Sequence, residues 1–259
     1  MTSNRWTREQ LKLAFHLYCQ LPFGKLDKGN KEVIQLATLI GRTPSAVALK
    51  LVNFASLDPV LTARGIKGMG NTSALDREIW AEFHADWEGL ASESEHLRNA
   101  LMIESGCTEP AEIEPMEIAD FTGETRQVMR EQRIKQNFFR KAVLSSYRGR
   151  CCMSGLSEPR LLTASHIVPW SRDKANRLNP ANGLSLCALH DRAFDAGLLT
   201  LDDDYRVVLS AALRRKDDLF MQSVFAPLEG KSIEMPERFA PQLDFIRRHR
   251  SEVFIDATR

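Results

Sequence analysis

The segment around residues 161–190 constrains the fold of this 259-residue chain more than any other part. Its pattern predicts a β-strand, a turn with a second strand, and a short helix, over residues 161–168, 179–186 and 187–196. His166 falls in the first strand, Asn182 follows sixteen residues later, and His190 lies eight residues beyond that. These two histidines and the asparagine between them are the candidate functional residues of the segment.

The segments that flank these three residues extend the pattern. They are Arg150-Cys151-Cys152-Met153-Ser154-Gly155, Ala164-Ser165-His166-Ile167, Asn182-Gly183-Leu184 and His190-Asp191-Arg192-Ala193-Phe194-Asp195. With these flanks, the order His–Asn–His resembles the ββα-metal core of the HNH endonuclease family, in particular its bacterial restriction and defence subfamily. The resemblance covers about residues 140–210.

This resemblance implies a metal-dependent DNA endonuclease that hydrolyses phosphodiester bonds, acting in restriction or phage defence. A divalent cation, Mg²⁺ or Mn²⁺, would neutralise the charge that grows on the phosphate and on the leaving oxygen. His166 would be the general base, because a neutral imidazole accepts a proton from water near pH 7. Asn182 would hold the loop that carries His166, and His190 would bind the metal.

Ser165 is the position at which this chain departs from the family. Many members place an aspartate there as a second metal ligand, and here a weak, neutral hydroxyl would have to serve. Asp191 and Asp195 are alternatives, although a residue five positions after His190 on a helix points away from it, which favours a structural role for Asp195. Arg177 is a candidate phosphate clamp.

The cysteines argue against a structural zinc ion. Many family members bind zinc through two C-x-x-C pairs, whereas here Cys152, with Cys151 beside it, and Cys187 remain, and the partner positions hold Gly155 and His190. Two thiols and a histidine that is already assigned to the active site form a poor tetrahedral set, so we expect buried, reduced cysteines. Five cysteines without an even disulfide framework favour a reducing cytoplasm.

The charge of the chain is distributed in three blocks, although the net charge is only +1. Residues 1–73 hold 10 Lys and Arg against 4 Asp and Glu, residues 74–124 hold 2 against 14, and residues 125–259 hold 23 against 16. Phosphate binding depends on the local potential, so the two basic blocks permit contact with DNA where the total would discourage it. Ordinary variation of surface charge is the alternative interpretation.

The N-terminal residues predict helices around a turn. Asn30 is a good N-cap for a helix that runs to Gly41, and Thr43 caps the next helix, with Pro44 at its first position. This pattern resembles a helix-turn-helix, in which the second helix makes contacts with a DNA groove. The residues predicted to lie at its N-terminus and on its exposed face are Arg42, Thr43, Ser45, Ala48 and Lys50. A helical scaffold that does not touch DNA is the alternative.

The acidic middle block predicts one long helix over residues 74–104, with apolar residues at helical spacing and an acidic face that is a candidate dimer surface. Residues 106–123 are typical of a linker. A basic helix follows over residues 124–147, and its Arg140 and Lys141 are candidate phosphate contacts. A basic face that is simply solvated is an equally open interpretation.

These patterns together predict an α+β protein with two domains. A mainly helical N-terminal region with the helix-turn-helix-like domain, residues 1–105, serves DNA binding and dimerisation. The linker of residues 106–123 leads to a C-terminal ββα-metal HNH nuclease domain, residues 124–259. The chain has no apolar run of about eighteen residues, and its N-terminus lacks the apolar core of a secretory signal. We therefore expect no membrane span and a cytoplasmic location.

DNA and a second copy of the chain are the predicted partners. A single HNH centre cuts one strand, so cleavage of a duplex predicts a homodimer with two sites related by a two-fold axis. The alternative function is a non-catalytic DNA-binding regulator that contains a degenerate HNH module. A nuclease directed at RNA is a third hypothesis.

Overall fold

The computed structural model describes residues 5–65, 72–106, 123–215 and 218–256. The chain divides into two compact units, Met1–Phe139 and Arg140–Arg259. The first is built from helices, and the second combines helices with two small antiparallel sheets. The predicted mixture of helices and small sheets is therefore confirmed.

Helices α1 to α6 lie in the first unit, and a seventh begins in it. Their bounds are α1 Arg8–Gln20, α2 Lys31–Leu39, α3 Pro44–Ala55, α4 Pro59–Ala63, α5 Ala74–Ala85, α6 Trp87–Glu104 and α7 Gly123–Ser146. Thr7, Asn30 and Thr43 each accept a hydrogen bond from a backbone N–H in the first turn of α1, α2 and α3. Caps of this kind stabilise a helix by about 1 kcal/mol each, and those predicted at Asn30 and Thr43 are confirmed.

Phe15 of α1 is the centre of an aromatic core in the first unit. Its buried ring lies 4.5 Å from that of Phe83, 5.0 Å from that of Phe54 and 5.4 Å from that of Trp80, measured between centroids. These partners belong to α3 and α5, so α1 packs against both helices. Each such ring pair adds about 0.5–1.5 kcal/mol beyond the burial of apolar surface.

The prediction of one helix over residues 74–104 is wrong, because the helix breaks at Asp86. This residue has φ −146° and ψ 82°, which lie outside the helical range. Its carboxylate accepts a hydrogen bond of 2.8 Å from the N–H of Gly89, so Asp86 is the N-cap of α6. Phe83 and Trp87 are buried on the two sides of the break, and their apolar pattern continues through it.

Residues 40–43 connect α2 to α3. Gly41 has a φ of +66°, a left-handed conformation that costs glycine less than any residue with a Cβ. The two helices and their turn lie where the sequence predicted them. Their assignment to a DNA-binding helix-turn-helix remains a prediction.

A hairpin and a helix form the predicted finger of the second unit. The elements are β1 Leu162–His166, β2 Gly183–Cys187, α8 Ala188–Asp195, β3 Leu199–Leu201, β4 Val207–Leu209, α9 Ala211–Arg214, α10 Leu219–Val224 and α11 Leu243–Glu252. In the antiparallel β1–β2 hairpin, Leu162 lies opposite Cys187 and His166 lies opposite Gly183. The two ends of the hairpin are therefore four residues apart, about 13 Å along the strands.

The division between the two units falls within α7. Most of the predicted linker, residues 107–122, lies outside the described residues. The predicted domain bounds of 1–105 and 124–259 stay predictions. Across the part of the chain that the structure describes, no helix combines the length and the apolar character needed to cross a membrane.

Candidate active site

His166 ends β1, and the loop that follows contacts its ring. Its Nε2 lies 2.9 Å from the backbone oxygen of Arg177, and its ring meets that of Trp170 edge-on, with centroids 5.5 Å apart. Because a carbonyl oxygen only accepts, we assign the hydrogen of the neutral ring to Nε2 and the lone pair to Nδ1. The loop thus fixes both the orientation and the tautomer of the predicted base.

Asn182 is fully buried just before β2 and bonds to the backbone of the same loop. Its Oδ1 accepts a hydrogen bond from the N–H of Val168 at 2.8 Å. Its Nδ2 donates to the backbone oxygens of Val168 and Asn176 at 3.2 and 3.3 Å, and its own carbonyl accepts from the N–H of Ile167 at 2.9 Å. Asn182 thus holds the two residues that follow His166.

Burial lowers the pKa of His166 below its usual 6.5, although the hydrogen bond to Arg177 and the charge of Asp191 oppose the shift. The lowered pKa keeps the ring neutral at pH 7, the form that can accept a proton. Asp191 on α8 is half-buried and close enough for its charge to act on His166. From the sequence this aspartate was only an alternative ligand, and its interaction with the base raises its importance.

His190 precedes Asp191 on α8, but its ring meets two cysteines. Its Nδ1 lies 3.4 Å from the sulfur of Cys151, and the ligand atoms of Cys151, Cys187 and His190 all lie within 4.8 Å of one another. Cys187 is at the end of the hairpin that is remote from His166. This placement argues against the predicted role of His190 as the metal ligand beside the base.

The two thiols of this group interact strongly. A hydrogen bond from Cys187 lowers the pKa of Cys151 to about 3, against the opposing effect of burial and with help from His190. The same hydrogen bond raises the pKa of Cys187. The titrations of the two thiols are therefore linked, and their hydrogen bond favours the charged form of Cys151 over that of Cys187. The C-x-x-C spacing pointed to Cys152 as the relevant member of the adjacent pair, whereas the structure places Cys151 beside Cys187 and His190.

Ser165 lies in the interior, next to His166 in the strand. Consecutive residues of a strand point to opposite faces, and Ser165 is only 3% exposed. Its Oγ has no hydrogen-bond partner among the residues that the structure describes. A hydroxyl in this position is turned away from the base, which argues against its predicted role as a metal ligand.

Comparison with known sequence families identifies this part of the chain. Residues 151–202 match the family described as HNH endonuclease. This segment is an HNH endonuclease domain. The match includes the buried asparagine, the predicted base and the group of two cysteines and a histidine, so both ends of the hairpin belong to the HNH domain.

Comparison with solved structures finds similarity to a "Modification dependent TagI restriction endonuclease". The identity is 25% and the TM-score is 0.31, over 44% of this chain and 37% of that one. The chain thus spans well under half the length of that relative. The search of curated protein sequences gave no match.

The cations predicted to bind phosphate near the HNH domain have different surroundings. Arg177 donates from Nε to the backbone oxygen of Trp170 at 2.9 Å, and its guanidinium lies 5.2 Å from the centroid of the Trp170 ring. Arg140 and Lys141 are exposed on α7, and Arg140 also donates to the backbone oxygen of Pro159 at 3.3 Å. Arg177 is thus held by the loop that contacts His166, whereas the other two face solvent.

Lys50 of the first unit is engaged within that unit. Its Nζ lies 2.9 Å from both carboxylate oxygens of Asp76, and the Asp76 side chain has no exposed surface. A buried carboxylate requires a partner of opposite charge, so Lys50 turns inward. Ala48 is buried as well. The prediction that Lys50 and Ala48 are exposed is therefore wrong.

The other residues predicted to contact DNA lie around the start of α3. Ser45 is exposed there. The hydroxyl of Thr43 accepts from the N–H of Ala46 as the helix cap. Arg42 donates to Oε1 of Gln10 at 3.0 Å from Nη2. Contact of these residues with DNA remains a prediction, and the contacts of Arg42 and Thr43 show that both also stabilise the unit.

Proposed function

We propose that this protein is a metal-dependent endonuclease that hydrolyses phosphodiester bonds in DNA, with His166 as the general base. The observation that supports this most strongly is the His166 imidazole at the end of β1, whose Nε2 is fixed by the backbone oxygen of Arg177 and whose neutral form is favoured by burial. A base in this state can remove a proton from water at neutral pH. The HNH identity of residues 151–202 supports the reaction class.

In this mechanism Nδ1 of His166 accepts the proton of the attacking water. The Nε2–H of the same ring stays hydrogen-bonded to the backbone oxygen of Arg177. This bond keeps the lone pair of Nδ1 in a fixed direction. The negative charge of Asp191 favours the imidazolium that forms. Asn182 keeps the loop in place through its bonds to Val168.

The chemistry of Asp191 fits a hard divalent cation. Carboxylate oxygen is a preferred ligand of Mg²⁺ and Mn²⁺, and Mg²⁺ commonly keeps several waters beside one or two carboxylates. We therefore propose Asp191 as the protein ligand, in place of Ser165 and His190. When bound, the cation would supply charge neutralisation at the phosphate.

Plasmid nicking with Mg²⁺ or Mn²⁺, with and without EDTA, tests the proposal. His166→Ala should slow cleavage by about 10²–10⁴-fold, the usual contribution of a general base. The matched control is His96→Ala, because His96 is exposed on α6. Cleavage that survives His166→Ala would remove the base assignment, and cleavage that survives EDTA would remove the metal dependence.

A non-catalytic DNA-binding regulator is the second candidate. The observation that favours it is the burial of Ser165, which keeps this hydroxyl from serving as the second metal ligand that an aspartate provides in many family members. Duplex binding without nicking, on plain and on base-modified DNA, would support the regulator. Comparison with single-stranded RNA as substrate separates the RNA-directed hypothesis from both.

DNA is the proposed partner, and a role in restriction or phage defence and a homodimer are parts of the same proposal. Exposed Arg140 and Lys141 on α7 and exposed Ser45 on α3 are the proposed contacts. Neutralising Arg140 and Lys141 together should weaken duplex binding and flatten its dependence on salt, because each phosphate contact releases counterions. An unchanged salt dependence would indicate that Arg140 and Lys141 form a solvated face that does not contact DNA.

A further inference from the structure

We propose that Cys151, Cys187 and His190 bind a zinc ion that stabilises the HNH domain, at a site separate from the catalytic metal. Their ligand atoms lie within 4.8 Å of one another. Ligands of a tetrahedral zinc ion lie about 4 Å apart, given bonds of about 2.0–2.3 Å to nitrogen and sulfur, so a small closure is sufficient. Cys151 and Cys187 are not joined in a disulfide.

Two similar turns present the sulfurs. In the turn of residues 151–154, the N–H of Ser154 donates to the sulfur of Cys151. In residues 187–190, the N–H groups of Leu189 and His190 donate to the sulfur of Cys187. Each sulfur is therefore approached by backbone N–H groups of the turn that carries it. Both sulfurs are thus oriented by their own turns before any ion is bound.

The first turn is closed at both ends. The N–H of Cys151 donates to the backbone oxygen of Leu156, and the N–H of Gly155 donates to the backbone oxygen of Cys151, both at 2.8 Å. Gly155 has a φ of +76°, which glycine adopts without the penalty of a Cβ. A rigid turn of this kind holds Cys151 beside His190 at little cost in conformational entropy.

The ligand atoms select a soft ion. Thiolate and imidazole ligands bind Zn²⁺, whereas Mg²⁺ and Mn²⁺ prefer oxygen. The carboxylate of Asp191, which interacts with His166, offers oxygen. One domain therefore provides two ligand sets that different ions occupy, and zinc at the cysteines does not compete for the catalytic site.

Ser154 marks the fourth position of the zinc site. It stands three residues after Cys151, as His190 stands three residues after Cys187. Its hydroxyl donates to the sulfur of Cys151, and the residue is exposed. The fourth ligand is therefore this hydroxyl or a water, and a thiol at position 154 would complete a stronger set.

The three ligands come from three parts of the domain. Cys151 belongs to the turn after α7, Cys187 ends β2, and His190 lies in α8. An ion at this point would join the turn to the hairpin and to the helix. Because Asp191 follows His190 directly, the same ion would also fix the backbone that positions the catalytic carboxylate.

Metal analysis of the full chain tests this site. Protein purified under reducing conditions from zinc-supplemented cells, without chelator, should hold about one zinc ion per chain. Cys187→Ser should hold less than about a tenth of that. Cys152→Ala is the matched control, because Cys152 is buried and adjacent but outside the ligand group, and it should keep its zinc. Cobalt in place of zinc should give a sulfur-to-cobalt charge-transfer band that only Cys187→Ser abolishes.

Ser154→Cys tests the site without removing a ligand. It should hold zinc at least about tenfold more tightly than the natural sequence in competition with a chelating dye, because thiolate is a stronger ligand than hydroxyl or water. A natural-sequence protein that holds no zinc and gives no cobalt band would overturn the proposal. So would zinc that persists in Cys187→Ser. Unchanged affinity in Ser154→Cys would contradict the assignment of the fourth position.

Discussion

The two ends of the β1–β2 hairpin have opposite chemical character. At one end, His166 and the nearby charge of Asp191 offer nitrogen and oxygen atoms. At the other end, Cys151 and Cys187 offer two sulfurs with the nitrogen of His190. Hard cations prefer the carboxylate oxygen of the first end, and zinc prefers the sulfur and nitrogen atoms of the second. Because His190 and Asp191 are consecutive, the motif identifies the family without telling which end each residue serves.

Asn182→Ala should affect the His166 end far more than the cysteine end. The variant loses three hydrogen bonds and leaves the N–H and carbonyl of buried Val168 unsatisfied. A buried unsatisfied group costs about 1–3 kcal/mol, so we expect unfolding to become easier by about 3 kcal/mol and nicking to slow. Zinc content should stay that of the natural sequence.

Chemical denaturation, plasmid nicking and metal analysis measure these three effects. Asn137→Ala is the control, because Asn137 is exposed on α7. Loss of zinc from Asn182→Ala in its folded state would show that the two ends of the hairpin are one coupled site.

His249 should determine much of the loss of folding stability in acid. Its Nε2–H donates to the backbone oxygen of Phe194 at 3.2 Å, and its Nδ1 accepts from the hydroxyl of Thr200 at 2.9 Å. Burial lowers the pKa of His249 from 6.5 to about 4. Above pH 6.5 the ring is neutral in both states, and between pH 6.5 and 4 the unfolded chain binds a proton that the folded chain does not. Stability should therefore fall by about 3 kcal/mol across this window.

Denaturation midpoints at several pH values between 7.5 and 4 check this effect. His249→Gln should have a shallower loss of stability than the natural sequence. The slope that remains is the contribution of the other groups that titrate between pH 7.5 and 4. Parallel curves for the two proteins would show that His249 does not set the window.

Ser165→Ala should have the smallest effect of these variants. It tests whether Ser165 acts as a metal ligand. It removes a buried hydroxyl that has no partner among the described residues, so we expect a gain of up to about 1 kcal/mol in the free energy of unfolding. Nicking should continue at the natural rate. A loss of nicking in a stable Ser165→Ala protein would support Ser165 as a metal ligand after all.

Much of the fold followed from residue patterns. The strand–strand–helix order, the caps at Asn30 and Thr43, and the α2–α3 turn are local features that the sequence encodes directly. Asp86 was missed because the apolar spacing continues across it, and only its backbone conformation shows the break. Lys50 was placed on the surface because its partner, Asp76, is distant in sequence and fully buried.

The candidate site could be predicted from the sequence less completely than the fold. His166 and Asn182 lie in local segments with characteristic neighbours, so their pattern was informative. The sequence could not separate His190 from Asp191, because consecutive helix residues point about 100° apart and the motif does not specify which one faces the base. The contact between Cys151 and His190 joins residues 39 positions apart, which spacing rules for C-x-x-C pairs do not detect.

Paired analysis of His190→Ala and Asp191→Asn tests the central claim most directly, with zinc content and Mn²⁺-dependent nicking measured on the same preparations. Asp191→Asn should keep its zinc and lose most of its nicking activity, and Asp204→Asn, at an exposed turn, should lose neither. His190→Ala should lose its zinc. Normal nicking by Asp191→Asn, together with zinc-loaded but inactive His190→Ala, would contradict the division of the hairpin into two metal sites.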